Sequence, residues 1–397
     1  MDVPAFEPFQ AIRYAPKTDL ASVTAPPYDV LSDADLDALE DRDEHNIVHI
    51  DVPRERDGSG RYDAAGRRLT EWLDHGVLVR DVAESFVIYR MDFTDAAGRE
   101  RSIVGVLGGA AVDDYGGGGV LPHERVTPKA STDRLDLTRA TSANMSPIWG
   151  LSLADGLSDL LASPAAVIGE VTADGVTHRI ERVSDPDRIE AIRAAVASDD
   201  ILIADGHHRY GVAQRYRDEM RATGVSDSAA ELTLMFVSEL VEEQLSVEAI
   251  HRVYRDIERD DLVAALEHGF DLVPAGSVTA ATLAELDERG CLCLVDRDGS
   301  GTWLIPREGA FADVRALDGV WLEHLLDGTE ATVTYQHGID ELHALMTADD
   351  TVAAAVLIRP VSVDEIERTA REGVVMPPKS TFFTPKLRTG LVIRPLD

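Results

Sequence analysis

Apolar positions along the chain switch repeatedly between a period near 3.6 and a period near 2, the mark of helices interleaved with strands. Leu36 and Leu39 stand at helical spacing behind Ser32 and Asp35, which predicts a helix whose start is capped. Ala65, Leu69, Trp72 and Leu73 predict a second helix. The run FVIYRMDF from Phe86 predicts a strand, Asp95-Ala96-Ala97-Gly98 a turn, and SIVGVLGGAAV from Ser102 the partner strand. Asp174-Gly175, between two short β-like runs, predicts another hairpin.

The alternation continues. Ile189, Ile192 and Val196 predict a helix over 187–198, Ile201-Leu202-Ile203-Ala204 a short buried strand, and Tyr210, Ala213, Tyr216 and Met220 another helix. A strand follows near 232–240. Helical runs come next over 261–270 and 279–289, then a strand pair at 291–296 and 302–305, a helix over 320–326 and a strand over 352–358. No repeat of fixed period and no low-complexity linker interrupts them. The pattern predicts a mixed α/β (α+β) fold. At 397 residues the chain is too long for one ordinary core. One boundary suggests itself near residue 260, dividing residues 1–260 from a C-terminal α/β region over 261–397.

Charge changes this picture most. Asp and Glu number 72 against 38 Lys and Arg, a formal net charge of -34, and Lys17, Lys129, Lys379 and Lys386 are the only lysines. The acids are spread along the chain. Such a surface suits concentrated salt, where self-repulsion is screened, so a halophile's cytoplasmic protein is expected. Duplex DNA is not expected as a partner, because it calls for a basic face and no Lys/Arg-rich run is present. MDVPAFEPFQ lacks a basic segment leading into an apolar one, and no run of about 18 apolar residues occurs, so neither a signal peptide nor a membrane partner is expected. Oligomeric state is open. Cys291 and Cys293, the only cysteines, would point to the same face of a strand and are expected as buried reduced thiols.

Candidate chemistry gathers in a few segments. Asp205-Gly206-His207-His208-Arg209-Tyr210 follows a short apolar strand and opens an amphipathic helix. The first N–H groups of a helix have no intrahelical acceptor and its dipole is positive there. Gly206 allows a tight turn and close approach of a ligand. His207, His208 and Arg209 add donors, and a guanidinium matches phosphate oxygens. The pattern describes a phosphate cradle; the alternative is that Asp205 caps the helix and the histidines bond within a packed turn. Metal binding by the adjacent His207 and His208 has no support from H-x-x-x-H or C-x-x-C spacing, so no metal ligand set is assigned.

Pro122-His123-Glu124-Arg125 follows the glycines Gly116 to Gly119. His123 and Glu124 are candidates for acid/base work or metal ligation, though Thr127 stands where H-E-x-x-H would place its second His, against the alternative of a flexible loop. Met376-Pro377-Pro378-Lys379-Ser380-Thr381 through Pro385-Lys386 holds two of the four lysines with Ser380 and Thr381. Lysines kept in so acidic a chain suggest an anionic ligand, against an ordinary proline-punctuated loop. Ala25-Pro26-Pro27-Tyr28-Asp29-Val30 is a rigid loop whose Asp29 is a candidate base or magnesium ligand, or a turn former.

Taken in order, these segments resemble the domain-of-unknown-function family one-zero-one-five. Phe6-Glu7-Pro8-Phe9, Arg13-Tyr14, the Ala25–Val30 loop, Asn46-Ile47-Val48, Pro122-His123-Glu124, Asp133-Arg134-Leu135, Ser146-Pro147-Ile148, the Asp205–Tyr210 turn, His251-Arg252 and the Met376–Lys386 segment with Gly390-Leu391 all match. Val126 departs from an expected threonine, Phe382 and Thr384 from aromatic hydroxyls, and the glycine run resembles an insertion. Strand, then Asp-Gly-x-x-Arg opening a helix, is also similar to the signature of the ParB/sulfiredoxin-like superfamily, which includes CTP-binding partition proteins, sulfiredoxin and kinases of free serine. That likeness implies a ParB/sulfiredoxin-like core elaborated by further sheets and helices, with residues 261–397 returning the Lys379–Lys386 loop to the site. It implies that Asp205, Gly206, His207, His208 and Arg209, with Ser380, Thr381 and Lys386, bind a nucleotide (ATP or ADP) with Mg²⁺. Asp29, Glu124, His123 and Lys379 are then the catalytic candidates. The expected function is a nucleotide-dependent phosphotransferase on a small hydroxyl metabolite, with free L-serine as a candidate; the alternative is a nucleotide-binding switch acting through a protein partner. Sulfiredoxin-like chemistry needs a reactive cysteine, which strand-borne Cys291 and Cys293 do not supply.

Overall fold

The structure, a computed structural model, describes residues 4–95, 98–113, 119–122, 131–224, 228–377 and 379–397. Two compact units are present: residues 1–246 with 370–373 and 385–397, and residues 247–369 with 374–384. The mixed α/β reading holds for both.

The first unit is built on a nine-stranded mixed sheet. Its order runs Val120–Pro122, Ile201–Asp205, Ile148–Ser152, Leu232–Glu239, Glu100–Ala111, Phe86–Thr94, Val176–Val183 and Ala166–Ala173, with Phe6–Glu7 pairing Glu100–Ala111. Phe86–Thr94 and Glu100–Ala111 pair antiparallel, as do Ala166–Ala173 and Val176–Val183 about Asp174-Gly175, so both hairpins read from the sequence form. Alternation sends Ile201, Ile203, Met235 and Val237 into one core with Leu157, Leu161, Ile192 and Val196 of two covering helices. On the opposite face Phe236 meets Tyr89 and Trp149 edge-on. A separate core gathers Leu36, Leu39, Ile50, Leu69 and Trp72 with Ile393 near the C-terminus. Ser32 and Asp35 form the expected capping box on the helix Asp33–Arg42.

The second unit holds a six-stranded antiparallel sheet in the order Phe270–Ser277, Ser300–Pro306, Leu292–Val295, Ala354–Leu357, His251–Arg255 and Thr332–Gln336. Leu292 and Leu294 face a core with Leu262, Leu266 and Leu322. Cys291 and Cys293 face the other, with Leu286, Leu342 and Met346. Both thiols are buried and free, on one face as their spacing predicts. One expectation needs correction: Phe270 opens a strand, because the helix predicted through it ends at Leu266. Among the described residues no helix is long and apolar enough to cross a membrane.

Candidate functional site at the Asp205–Arg209 turn

The strand Ile201–Asp205 ends on a register shift against Ile148–Ser152, between Ile203 and Asp205. An irregularity of this kind re-aims the next side chain. Gly206 follows in the left-handed region at φ 94°, and the helix His207–Ala222 begins immediately after it. A Cβ at position 206 would lie 3.0 Å from the Arg209 guanidinium carbon, so the turn needs glycine for both backbone and space. The helix is held in place on the end of the central sheet. Tyr210 is fully buried and its hydroxyl accepts from Asp113 N at 2.8 Å, while Gln214 Nε2 donates to Asp113 O at 2.6 Å.

Asp205 is the electrostatic centre of the turn. Its Oδ2 pairs with Arg209 Nη2, and its Oδ1 accepts from Lys386 Nζ at 2.6 Å. Burial alone would raise this carboxyl, but Lys386, Arg209 and His207 outweigh it and hold the group well below the usual carboxylate range. Arg209 also donates to Pro147 O, which fixes the plane of its guanidinium.

A second layer of charge lies behind Arg209. Arg134 Nη1 donates to the buried Asp51 Oδ1 at 3.1 Å, and the Arg134 guanidinium stacks 4.1 Å from the Tyr28 ring. Burial raises the Asp51 carboxyl against the pull of Arg134 and Arg209. Burial likewise raises the Tyr28 hydroxyl, opposed by the same two arginines. Asp29 is exposed on the turn Tyr28–Val30, and its charge is felt by Arg209, Asp51 and Tyr28. The Pro26-Pro27 loop is tied to the C-terminal segment by paired backbone bonds between Ala25 and Thr389, at 3.2 and 2.8 Å.

Of the residues singled out in the sequence, Asp205, Gly206, His207, Arg209 and Lys386 come together, with His208 on the next helical position and Asp29 within electrostatic range. His123 and Glu124 lie outside the described residues. Lys379, Ser380 and Thr381 belong to the second unit. There Lys379 is exposed at φ 57°, its carbonyl accepts from Arg252 Nη1 at 2.9 Å, and the buried Ser380 Oγ donates to Pro377 O at 2.8 Å. Asp51 is missed by the sequence reading; the signal for it is a carboxylate among Val48, Ile50 and Val52, where only a paired charge can be buried. Among the described residues no group of three or more His, Cys, Asp or Glu is placed to hold a metal ion. Mg²⁺ here would need to be carried mainly by phosphate oxygens and one or two carboxylates.

A family model matches residues 6–320 of the chain. The chain belongs to that family, described as Protein of unknown function (DUF1015). Among solved structures, this DUF1015 member is similar to a conserved hypothetical protein from Pyrococcus furiosus, with 14% identity and a TM-score of 0.37 over 69% of this chain and 92% of that one. It is similar to a free serine kinase in complex with AMP, with 14% identity and a TM-score of 0.37 over 69% of this chain and 89% of that one. SbnI with a C-terminal truncation, from Staphylococcus aureus, has 14% identity and a TM-score of 0.37 over 72% of this chain and 87% of that one. A search of the curated proteins finds no match.

Proposed function

We propose that the Gly206–Arg209 turn binds nucleotide phosphates and that the protein is a nucleotide-dependent phosphotransferase for a small hydroxyl metabolite, with free L-serine the first acceptor to try. The observation that carries this reading is the meeting of Arg209 and Lys386 at the N-terminus of a sixteen-residue helix, on a glycine in the left-handed conformation. Phosphoryl transfer asks mainly for positioning and charge neutralisation. Helix N–H groups and the dipole supply the first. Arg209 and Lys386 supply the second, by exchanging part of their interaction with Asp205 for phosphate oxygens.

In this reading the acceptor hydroxyl oxygen bonds to the terminal phosphorus, the phosphorus–oxygen bond to the leaving nucleotide breaks, and Asp29 takes the hydroxyl proton. Of the two candidate lysines Lys386 is the one used, because its ammonium already stands at Asp205. Mg²⁺, held by phosphate oxygens with Asp205, would neutralise phosphate charge. The acidic, lysine-poor composition supports work in a salt-rich cytoplasm.

The test is thermal stability in high KCl with Mg²⁺, with ATP, ADP, CTP or GTP, each with and without L-serine. A ligand that binds only the folded state raises the melting temperature. One nucleotide is expected to do so, and Arg209→Ala and His207→Ala are expected to abolish the shift. Unchanged nucleotide affinity in both variants would remove the assignment.

A further inference from the structure

On the Pro26-Pro27 side of Lys386 the first unit has a half-open cavity of about 240 Å³. Its walls include Pro26, Pro27, Asp174, His178, Lys386 and Arg388. Pockets for drug-sized ligands span about 300 to 1,000 Å³, so this space is sized for a small metabolite. Proline side chains have little freedom to lose when a ligand binds, so these walls are preorganised.

The polar groups in the cavity are arranged about cations. Arg388 is buried, and its Nε donates to Thr24 Oγ1 at 2.6 Å, its Nη2 to Thr24 O at 3.1 Å and its Nη1 to Asp174 Oδ2 at 3.2 Å. A guanidinium carries five N–H donors. Three are engaged, and each terminal nitrogen keeps one more N–H to offer a ligand carboxylate. The backbone N of Arg388 donates to Tyr89 Oη at 3.0 Å, and that hydroxyl lies 2.8 Å from His178 Nδ1, which locks the segment and the imidazole together. Lys386 is shared: it lines this cavity and also reaches Asp205 at the helix terminus. A second cavity, of about 300 Å³, lies against Arg388 but includes neither Lys386 nor His178, so it lacks this connection.

We infer that the cavity between Pro26-Pro27, Asp174 and Lys386–Arg388 is the acceptor subsite, and that it selects small hydroxy acids by their carboxylate. Arg388 holds the carboxylate, and Lys386 marks the end at which the hydroxyl meets the phosphates. The inference rests on the phosphotransferase reading for the word acceptor, but the binding it describes does not need a nucleotide. Ala173 also lines the cavity, on a partly exposed hairpin position, and its side chain makes none of the Arg388 hydrogen bonds, so it is the position at which a larger side chain tests the space.

The experiment measures thermal shifts in high KCl without nucleotide. The probes are L-serine, D-glycerate and L-lactate, each against the analogue in which a hydroxymethyl group replaces the carboxylate (serinol, glycerol or propane-1,2-diol), and adenosine. ATP with Mg²⁺ is measured separately. At least one carboxylate is expected to raise the melting temperature while its hydroxymethyl analogue does not. Ala173→Leu is expected to weaken that carboxylate at least tenfold and to leave the ATP shift in place, and Arg388→Lys is expected to weaken it likewise. Equal shifts from carboxylates and alcohols, no shift from any carboxylate, or a carboxylate shift untouched by Ala173→Leu overturns the subsite. An adenosine shift lost in Ala173→Leu also overturns it, by making the cavity a nucleoside pocket. Carboxylate binding lost as expected, with no nucleotide shift in the parent protein, supports the pocket and removes the phosphotransferase reading instead.

Discussion

Lys386 Nζ lies 2.6 Å from Asp205 Oδ1, joining residues 181 positions apart at the start of one helix. Both side chains are largely shielded, at 15% and 19% exposure, so the pair is worth more than an open surface ion pair. Lys386→Met is expected to lower stability at pH 7 by about 1–3 kcal/mol, measured by urea denaturation in KCl. The Asp205 carboxyl is held below its unfolded value, so its contribution is full above about pH 4 and is lost as pH falls further. The gap between parent and Lys386→Met is therefore expected to close in acid. A gap that stays constant from pH 7 to pH 3 contradicts the pairing.

His178 gives a second pH dependence in a different window. Burial, with Arg388 nearby, pushes its imidazole down to about 4. The folded protein thus keeps the ring neutral while the unfolded chain protonates near pH 6.5. Stability from this group is complete above about 6.5 and is lost as pH falls from there to about 4, because only the unfolded state gains a proton. The full loss is about 3 kcal/mol. His178→Gln is expected to flatten the stability profile between pH 6.5 and 4.5, read from urea midpoints at each pH. An unchanged slope would show that the ring is not neutral in the fold.

Net charge makes a third prediction. With -34 charges, self-repulsion opposes the folded state until salt screens it, and the screening length falls from about 10 Å at 0.1 M to about 3 Å at 1 M. The melting temperature is expected to rise by roughly 5 °C between 0.1 M and 2 M KCl, about 4 kcal/mol for a chain of 397 residues. A flat or falling curve removes the link between composition and salt.

The parts of the site legible in the sequence were the local ones. Strand, glycine turn and helix over 201–222 follow one another without a break, and each carries its own signal in periodicity or residue type. The pairings that complete the site are not local. Arg134 meets Asp51 from 83 positions away, and Arg388 reaches Thr24 across 364, distances over which a single sequence carries no pairing signal. Thr332–Gln336 escaped notice for another reason. Val333 and Tyr335 alternate with Thr332, Thr334 and Gln336, so the strand period is present, but the segment is only five residues long and lies at a sheet edge with three exposed residues at its start, where so short a signal is easily passed over.

The second unit carries its own reporter. Burial raises the thiols of both Cys291 and Cys293, the latter to about 12. The thiolate is the species that attacks a disulfide reagent, so a buried thiol with a raised pKa is inert. At pH 8 both cysteines are expected to resist an aromatic disulfide reagent in the native state and to react once urea opens the sheet they line. The reaction rate in sub-denaturing urea then measures how often the Leu292–Val295 strand is exposed. If the second unit opens on its own, that rate will rise at urea concentrations where the fluorescence of Trp72 and Trp149, read in a variant lacking Trp303 and Trp321, still reports an intact first unit. If the thiols and these tryptophans respond together, the two units unfold as one. Rapid labelling of either thiol in native buffer would contradict their burial on the inner face of that strand.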